Sequence, residues 1–216
     1  MFEEGINPLS PANFFDIECT LPYIKPAKWK EEIVKKGYLL CDTSWLLAES
    51  RHLNLHVGWS EEGLYLYVHV EGSFDEPSFP NLLEGDSFEL FLDTRNRKSS
   101  SFNNKFCHHF YFLPQAIEGH IKGEITRFRT EDAHPLADAD EIYLEAKSSS
   151  KEGKLKIFIP APLLVGWSPL EFPKLGFSFR LNRKGLEPEH FSAKTSEYAI
   201  EQEPSLWATC LLKNPH

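Results

Sequence analysis

The stretch Glu84-Gly85-Asp86-Ser87-Phe88-Glu89-Leu90-Phe91-Leu92-Asp93 decides the fold. Phe88, Leu90 and Leu92 fall on one phase of a period-two pattern; Ser87, Glu89 and Asp93 fall on the other, with Phe91 among them. That alternation predicts a strand with one face in a core and one face partly polar. Gly85 and the run Asp93-Thr94-Arg95-Asn96 mark turns at its ends. Strands are depleted in Glu, so a mid-strand Glu89 is either solvated or has a task.

The same alternation recurs on both sides. Leu53, Leu55, Val57 and Trp59, then Leu64, Leu66, Val68 and Val70, flank the loop Ser60-Glu61-Glu62-Gly63 and predict a hairpin. Opposing Trp59 to Leu64 puts all eight on one face and pairs His56 with Tyr67 and Gly58 with Tyr65 on the other. Residues 71–85, with Pro77, Pro80 and Asn81, form a long connection of the kind that often carries function. Phe106 to Leu113 is apolar on both phases apart from its histidines and predicts a buried central strand ended by Pro114. Ile121 to Phe128 predicts a strand near an edge. Ile142, Leu144 and Ala146 match Leu155, Ile157 and Ile159 across a turn, setting Glu145 opposite Lys156 and Tyr143 opposite Phe158. Leu175 to Asn182 and Leu206 to Leu212 complete the set, with Phe14 to Cys19 as a first strand. Residues 1–13 read as an extended lead-in, 98–105 as a polar Ser-rich segment and 184–204 as a polar one. Helix signals are confined to two short stretches, Lys25 to Gly37 and Pro160 to Gly166. About nine or ten strands in hairpin-like succession, with no strand–helix alternation, predict a single all-β domain, an antiparallel β-sandwich of immunoglobulin or jelly-roll type.

Composition agrees and excludes several functions. The chain has 216 residues, 13% aromatic and 25% charged, with 15 Pro and 12 Gly. Its net charge of -9 and lack of a basic stripe argue against nucleic acid and against an anionic membrane surface. No stretch approaches the roughly 20 apolar residues of a spanning helix. The first residues carry acids where a secretion signal needs bases. Cys19, Cys41, Cys107 and Cys210 are scattered among apolar neighbours, which favours reduced, buried thiols and a cytoplasmic location.

Three segments resemble carbohydrate-binding module family 9 and its wider DOMON-like relatives: Gly58 to Val68, the acidic strand with its Asp86-Ser87-x-Glu89 core, and the closing Leu206-Trp207-Ala208-Thr209-Cys210-Leu211-Leu212. In order and spacing they cover residues 14 to 213 or so. The resemblance implies a β-sandwich with one or two short helices and a non-catalytic module that binds a saccharide or similar polar small molecule. Glu89 carries over as the ligand-binding Glu. Where the family has a Trp before the acidic strand, this chain has Leu82 and Leu83; where it has an Arg on the next strand, this chain has Cys107 to Tyr111.

The candidate site residues are therefore Glu89 as acceptor for ligand hydroxyls, Tyr65 and Tyr67 as stacking rings with His56 and His69 beside them, and His109 or Arg180 as donors. The rings have a second reading, as lining of a two-sided core. No cofactor is predicted, although Glu84, Asp86, Glu89 and Asp93 are hard oxygen donors that would suit calcium; Asp86 and Asp93 read equally as turn caps. Cys107-His108-His109 could hold a transition metal only with help from elsewhere, because adjacent strand residues point to opposite faces. No Gly-x-Ser-x-Gly elbow, phosphate-binding loop or second placed carboxylate supports an enzyme. The other classes are a protein-interaction or scaffold domain on the same fold, a hydrolase, or a haem protein of DOMON type.

Overall fold

A computed structural model describes residues 16–98 and 102–213. The lead-in 1–13, Phe14 and Phe15, and the middle of the Ser-rich segment lie outside the described residues.

Among the described residues, eleven strands form two sheets packed face to face. The strands are β1 (Glu18–Pro22), β2 (Leu53–Ser60), β3 (Gly63–Glu71), β4 (Ser87–Asp93), β5 (Cys107–Ile117), β6 (His120–Glu124), β7 (Tyr143–Ser148), β8 (Glu152–Pro160), β9 (Lys174–Asn182), β10 (Glu189–His190) and β11 (Ala208–Lys213). The seven-stranded sheet runs β1-β11-β9-β4-β5-β6, with β10 paired beside β9; the four-stranded sheet runs β2-β3-β8-β7. All pairs are antiparallel except β1 with β11, so the sandwich is mixed at one edge. Trp29–Glu32 (α1) and Ser44–Leu47 (α2) are single helical turns.

The core lies where the two apolar phases meet. Leu55, Val57, Trp59, Leu64, Leu66, Val68, Leu155, Ile157 and Ile159 face Phe88, Leu90, Leu92, Phe110, Phe112, Phe177, Phe179 and Leu181, all fully buried. The hairpin register follows the predicted pairing from Trp59 with Leu64 to Leu53 with Val70. Ser60 and Gly63 also pair, so the turn itself is only Glu61-Glu62, and Gly63 takes a φ of +144° there. Tyr143 faces Phe158 and Glu145 faces Lys156, as the cross-strand pattern predicts.

Three expectations are corrected. β5 does not end at Pro114 but continues to Ile117; the ladder to β6 is irregular between Phe112 and Ile117, so the missing proline N–H breaks no regular pair. β6 stops at Glu124. β1 begins at Glu18, later than predicted, because Glu18 to Pro22 is the part that pairs with β11. The polar stretch 184–204 contributes β10 and buries Phe191, Ala193 and Ile200.

Both sheets are also covered on their outer faces. Ile24, Trp29 and Ile33 pack on Tyr65 over the small sheet. On the large sheet, Ala193, Ile200 and Trp207 cover Phe91 and Cys107, and Leu82 covers Tyr111 and Leu113. A gap remains between those last two patches, and Glu89 stands in it.

Candidate functional site

Three adjacent strands build the site. β4 sets Glu89 opposite Arg180 of β9 on one side and Tyr111 of β5 on the other. Since side chains alternate, Glu89, His109, Arg180 and Asn182 all point away from the core on the same face. Glu89 Oε1 accepts from Arg180 Nε at 2.7 Å and Asn182 Nδ2 at 2.6 Å. Oε2 accepts from Arg180 Nη2 at 2.9 Å and His109 Nε2 at 2.7 Å. Asn182 also donates to Ser87 at 2.8 Å, and Arg180 Nη1 donates to Thr195 Oγ1 at 3.0 Å.

Glu89 is 1% exposed. A carboxylate offers about four acceptor positions, and four donors of its own chain occupy them. Burial by itself would push this carboxyl up; the His109 hydrogen bond and the charges of His109 and Arg180 outweigh it and hold the pKa down at about 2. Glu89 is thus a permanent anion that clamps a cation and an imidazole, and it has no acceptor position to spare for a ligand.

A cleft of about 300 Å³ opens over this group. Pro80, Asn81, Leu82, Leu83 and Glu84 form one wall, Ile125 and Arg127 another, and Glu201 a third. Leu83 is 52% exposed at the rim, and Arg127 is exposed. Glu201 Oε2 stands 3.6 Å from Arg180 Nη1, an ion pair too long for a hydrogen bond. A larger hollow of about 390 Å³ is lined by Glu49, Glu189, His190 and Thr195. His190 Nδ1 faces Glu49 Oε1 at 2.8 Å, and its Nε2 stands 2.7 Å from Thr195 Oγ1 and 3.1 Å from the Thr195 backbone N–H.

The structure brings Glu89, His109 and Arg180 together and leaves Tyr65 and Tyr67 elsewhere. The placement of the two tyrosines beside Glu89 is corrected. β3 belongs to the four-stranded sheet and β4 to the seven-stranded one, so their outer faces point to opposite sides of the sandwich. Tyr65 is buried, stacks on Phe158 at 4.6 Å and reaches Ser60 Oγ at 3.1 Å, which is the core-lining reading. Tyr67 is half-buried beside His56 and His69. Asn182 and Glu201 belong to the site but were not predicted; Asn182 shares the phase of Arg180, which is the signal that could have found it.

The acidic set does not fit calcium. Asp86 accepts three backbone N–H groups, from Asp75, Glu76 and Lys184, and Asp93 accepts those of Arg95 and Arg97. Both are turn caps, and Glu89 is saturated by side chains. Among the described residues the oxygens of these acids do not converge on one point.

No protein-family model matches the sequence, and no curated protein matches it. Solved structures do. A carbohydrate-binding module of family 9 from Caldicellulosiruptor kristjanssonii, solved with cellotriose, superposes with a TM-score of 0.63 at 17% identity, covering 92% of this chain and 95% of that one. Its complex with glucose gives the same score and identity over 92% and 97%. A candidate carbohydrate-binding protein from Bacteroides uniformis gives 0.59 at 11% identity over 92% and 100%. The chain therefore has the β-sandwich fold of family 9 carbohydrate-binding modules.

Proposed function

We propose that this chain is a non-catalytic binding module for a saccharide or a similarly hydroxylated small molecule, seated in the cleft over Glu89. The observation that carries the reading is the Glu89–Arg180–His109–Asn182 group at the cleft floor. A buried carboxylate that holds an arginine and a histidine in fixed orientation is preorganised, so a ligand need not order them. Arg180 uses three of its five N–H donors inside the protein, which leaves two for ligand oxygens. Asn81, Arg127 and Glu201 add donors and acceptors at the walls. Leu82 and Leu83 supply apolar contact where no aromatic ring lines the cleft. The solved relatives of this fold that hold cellotriose and glucose support the ligand class.

In this reading Glu89 positions the ligand-binding groups, and the wall residues make contact. A glycan array followed by calorimetry tests it. Arg127→Ala and Asn81→Ala should each weaken binding about tenfold, a hydrogen-bond-sized loss of 1–2 kcal/mol, with unfolding unchanged. Glu89→Ala should abolish binding. Absence of binding across a broad panel of neutral and acidic sugars, by a chain that unfolds cooperatively, sinks the proposal; a stable protein partner in its place would favour the scaffold alternative.

A further inference from the structure

A second cluster of ionisable groups lies away from the cleft, on the inner face of the large sheet near its β6 edge. His108 is adjacent to His109 but points the other way. Glu124 of β6 sits opposite Phe110, on the same face as His108. His134 comes from the acidic loop that follows β6. Their side chains are 0%, 0% and 4% exposed. His108 Nδ1 stands 3.0 Å from Glu124 Oε1, and His134 Nε2 stands 3.4 Å from the same oxygen. Among the described residues this is the one group of three or more such side chains whose donor atoms converge, all within 4.8 Å of one another.

We infer that His108 Nδ1, Glu124 Oε1 and His134 Nε2 form a binding site for one divalent transition-metal ion, of the zinc class. Imidazole and carboxylate are the donors zinc uses, and donors about 2.0–2.1 Å from a tetrahedral zinc lie about 3.3 Å apart. The two spacings to Glu124 fall on either side of that value.

The tautomers point the same way. His134 Nδ1 is 2.7 Å from the Pro135 carbonyl, and its Nε2 is 3.1 Å from the Cys107 carbonyl. A neutral imidazole has one N–H and one lone pair, so either tautomer turns a lone pair on a carbonyl oxygen. A metal on Nε2 removes the conflict: Nδ1–H donates to Pro135, the outer contact that ligating histidines usually make. Glu124 is oriented as a ligand would be. Thr126 donates to its Oε1 at 2.6 Å and the Ala137 N–H to its Oε2 at 2.7 Å. The three ligands are closed from solvent, so the fourth position would hold an enclosed water, and the ion would tie residues 134–137 to β5 and β6.

The test uses the full, tag-free chain, stripped of metal and held reduced. One equivalent of zinc should bind, raise the melting temperature, and lose at least a hundredfold in affinity in His134→Ala, whose side chain sits on a loop. Cobalt(II) should give visible bands of a low-coordinate site without a thiolate charge-transfer band. Glu124→Gln, which keeps the shape, should abolish the cobalt bands while the chain remains folded by circular dichroism. No zinc-dependent shift in the folded wild type would overturn the site. So would a thiolate band, or zinc affinity that survives His134→Ala.

Discussion

Glu89 shows how one residue can read correctly by position and differently by role. Its strand, its outward phase and its neighbours Arg180 and His109 were legible, because period-two alternation fixes which side chains share a face. Its saturation was not, because it depends on Asn182 and on exact pairing between strands separated by 91 residues. The energetic consequence can be measured. The folded pKa of about 2 lies below the ordinary 4.5, so the unfolded chain binds the proton more tightly. The stabilisation is complete above the ordinary value and is lost as pH falls from there towards the folded value. Its size is on the order of 3 kcal/mol. Urea unfolding between neutral pH and the acid limb should show that loss, and Glu89→Gln should flatten it. Glu89→Ala leaves Arg180 buried without its carboxylate and should cost about 3–5 kcal/mol at neutral pH. Lost ligand binding in that variant is therefore informative only beside a stability measurement, which is why Arg127→Ala is the sharper probe.

Single elements divide by how much of their pairing is local. The β2–β3 and β7–β8 hairpins were readable to the residue, since each has its partner across a short turn and a one-residue slip would mix the faces. β5 was readable as a buried strand but not in length, because the irregular ladder that tolerates Pro114 is a property of the pair with β6. The connection between β3 and β4 was readable only as long. In the structure its Phe74 is fully buried and packs over Gly153 of β8, closing one end of the core. A methyl at Gly153 would lie 2.5 Å from the Phe74 ring, which has nowhere to move. Gly153→Ala should therefore destabilise by about 1–3 kcal/mol in chemical denaturation, although alanine suits an extended backbone. Of the proposed metal-binding cluster only His108 carried a local signal; Glu124 and His134, the help from elsewhere, lie on two other segments in no compact spacing.

At the scale of the whole molecule, the high aromatic content has a plain origin. The sandwich buries three layers of apolar contact: one between the sheets, and one outside each sheet under residues 24–38 and 191–207. Alternation therefore looked like a polar-aromatic surface where it was a second core, and Tyr65 was misplaced for that reason. The all-β class survived the error, because layering does not alter strand periodicity. No helix among the described residues is long and apolar enough to cross a membrane. The mixed edge has a further effect. β1 pairs with no strand of the large sheet other than β11, and β11 lies between β1 and β9. The sheet pairing of the first described strand must therefore wait, during synthesis on the ribosome, until β11 has emerged, although Trp59 of β2 can already hold its Leu21 end. A nascent chain arrested before residue 208 should leave Glu18 to Pro22 open to protease and to chaperones that hold extended segments, and it should become resistant in a single late step.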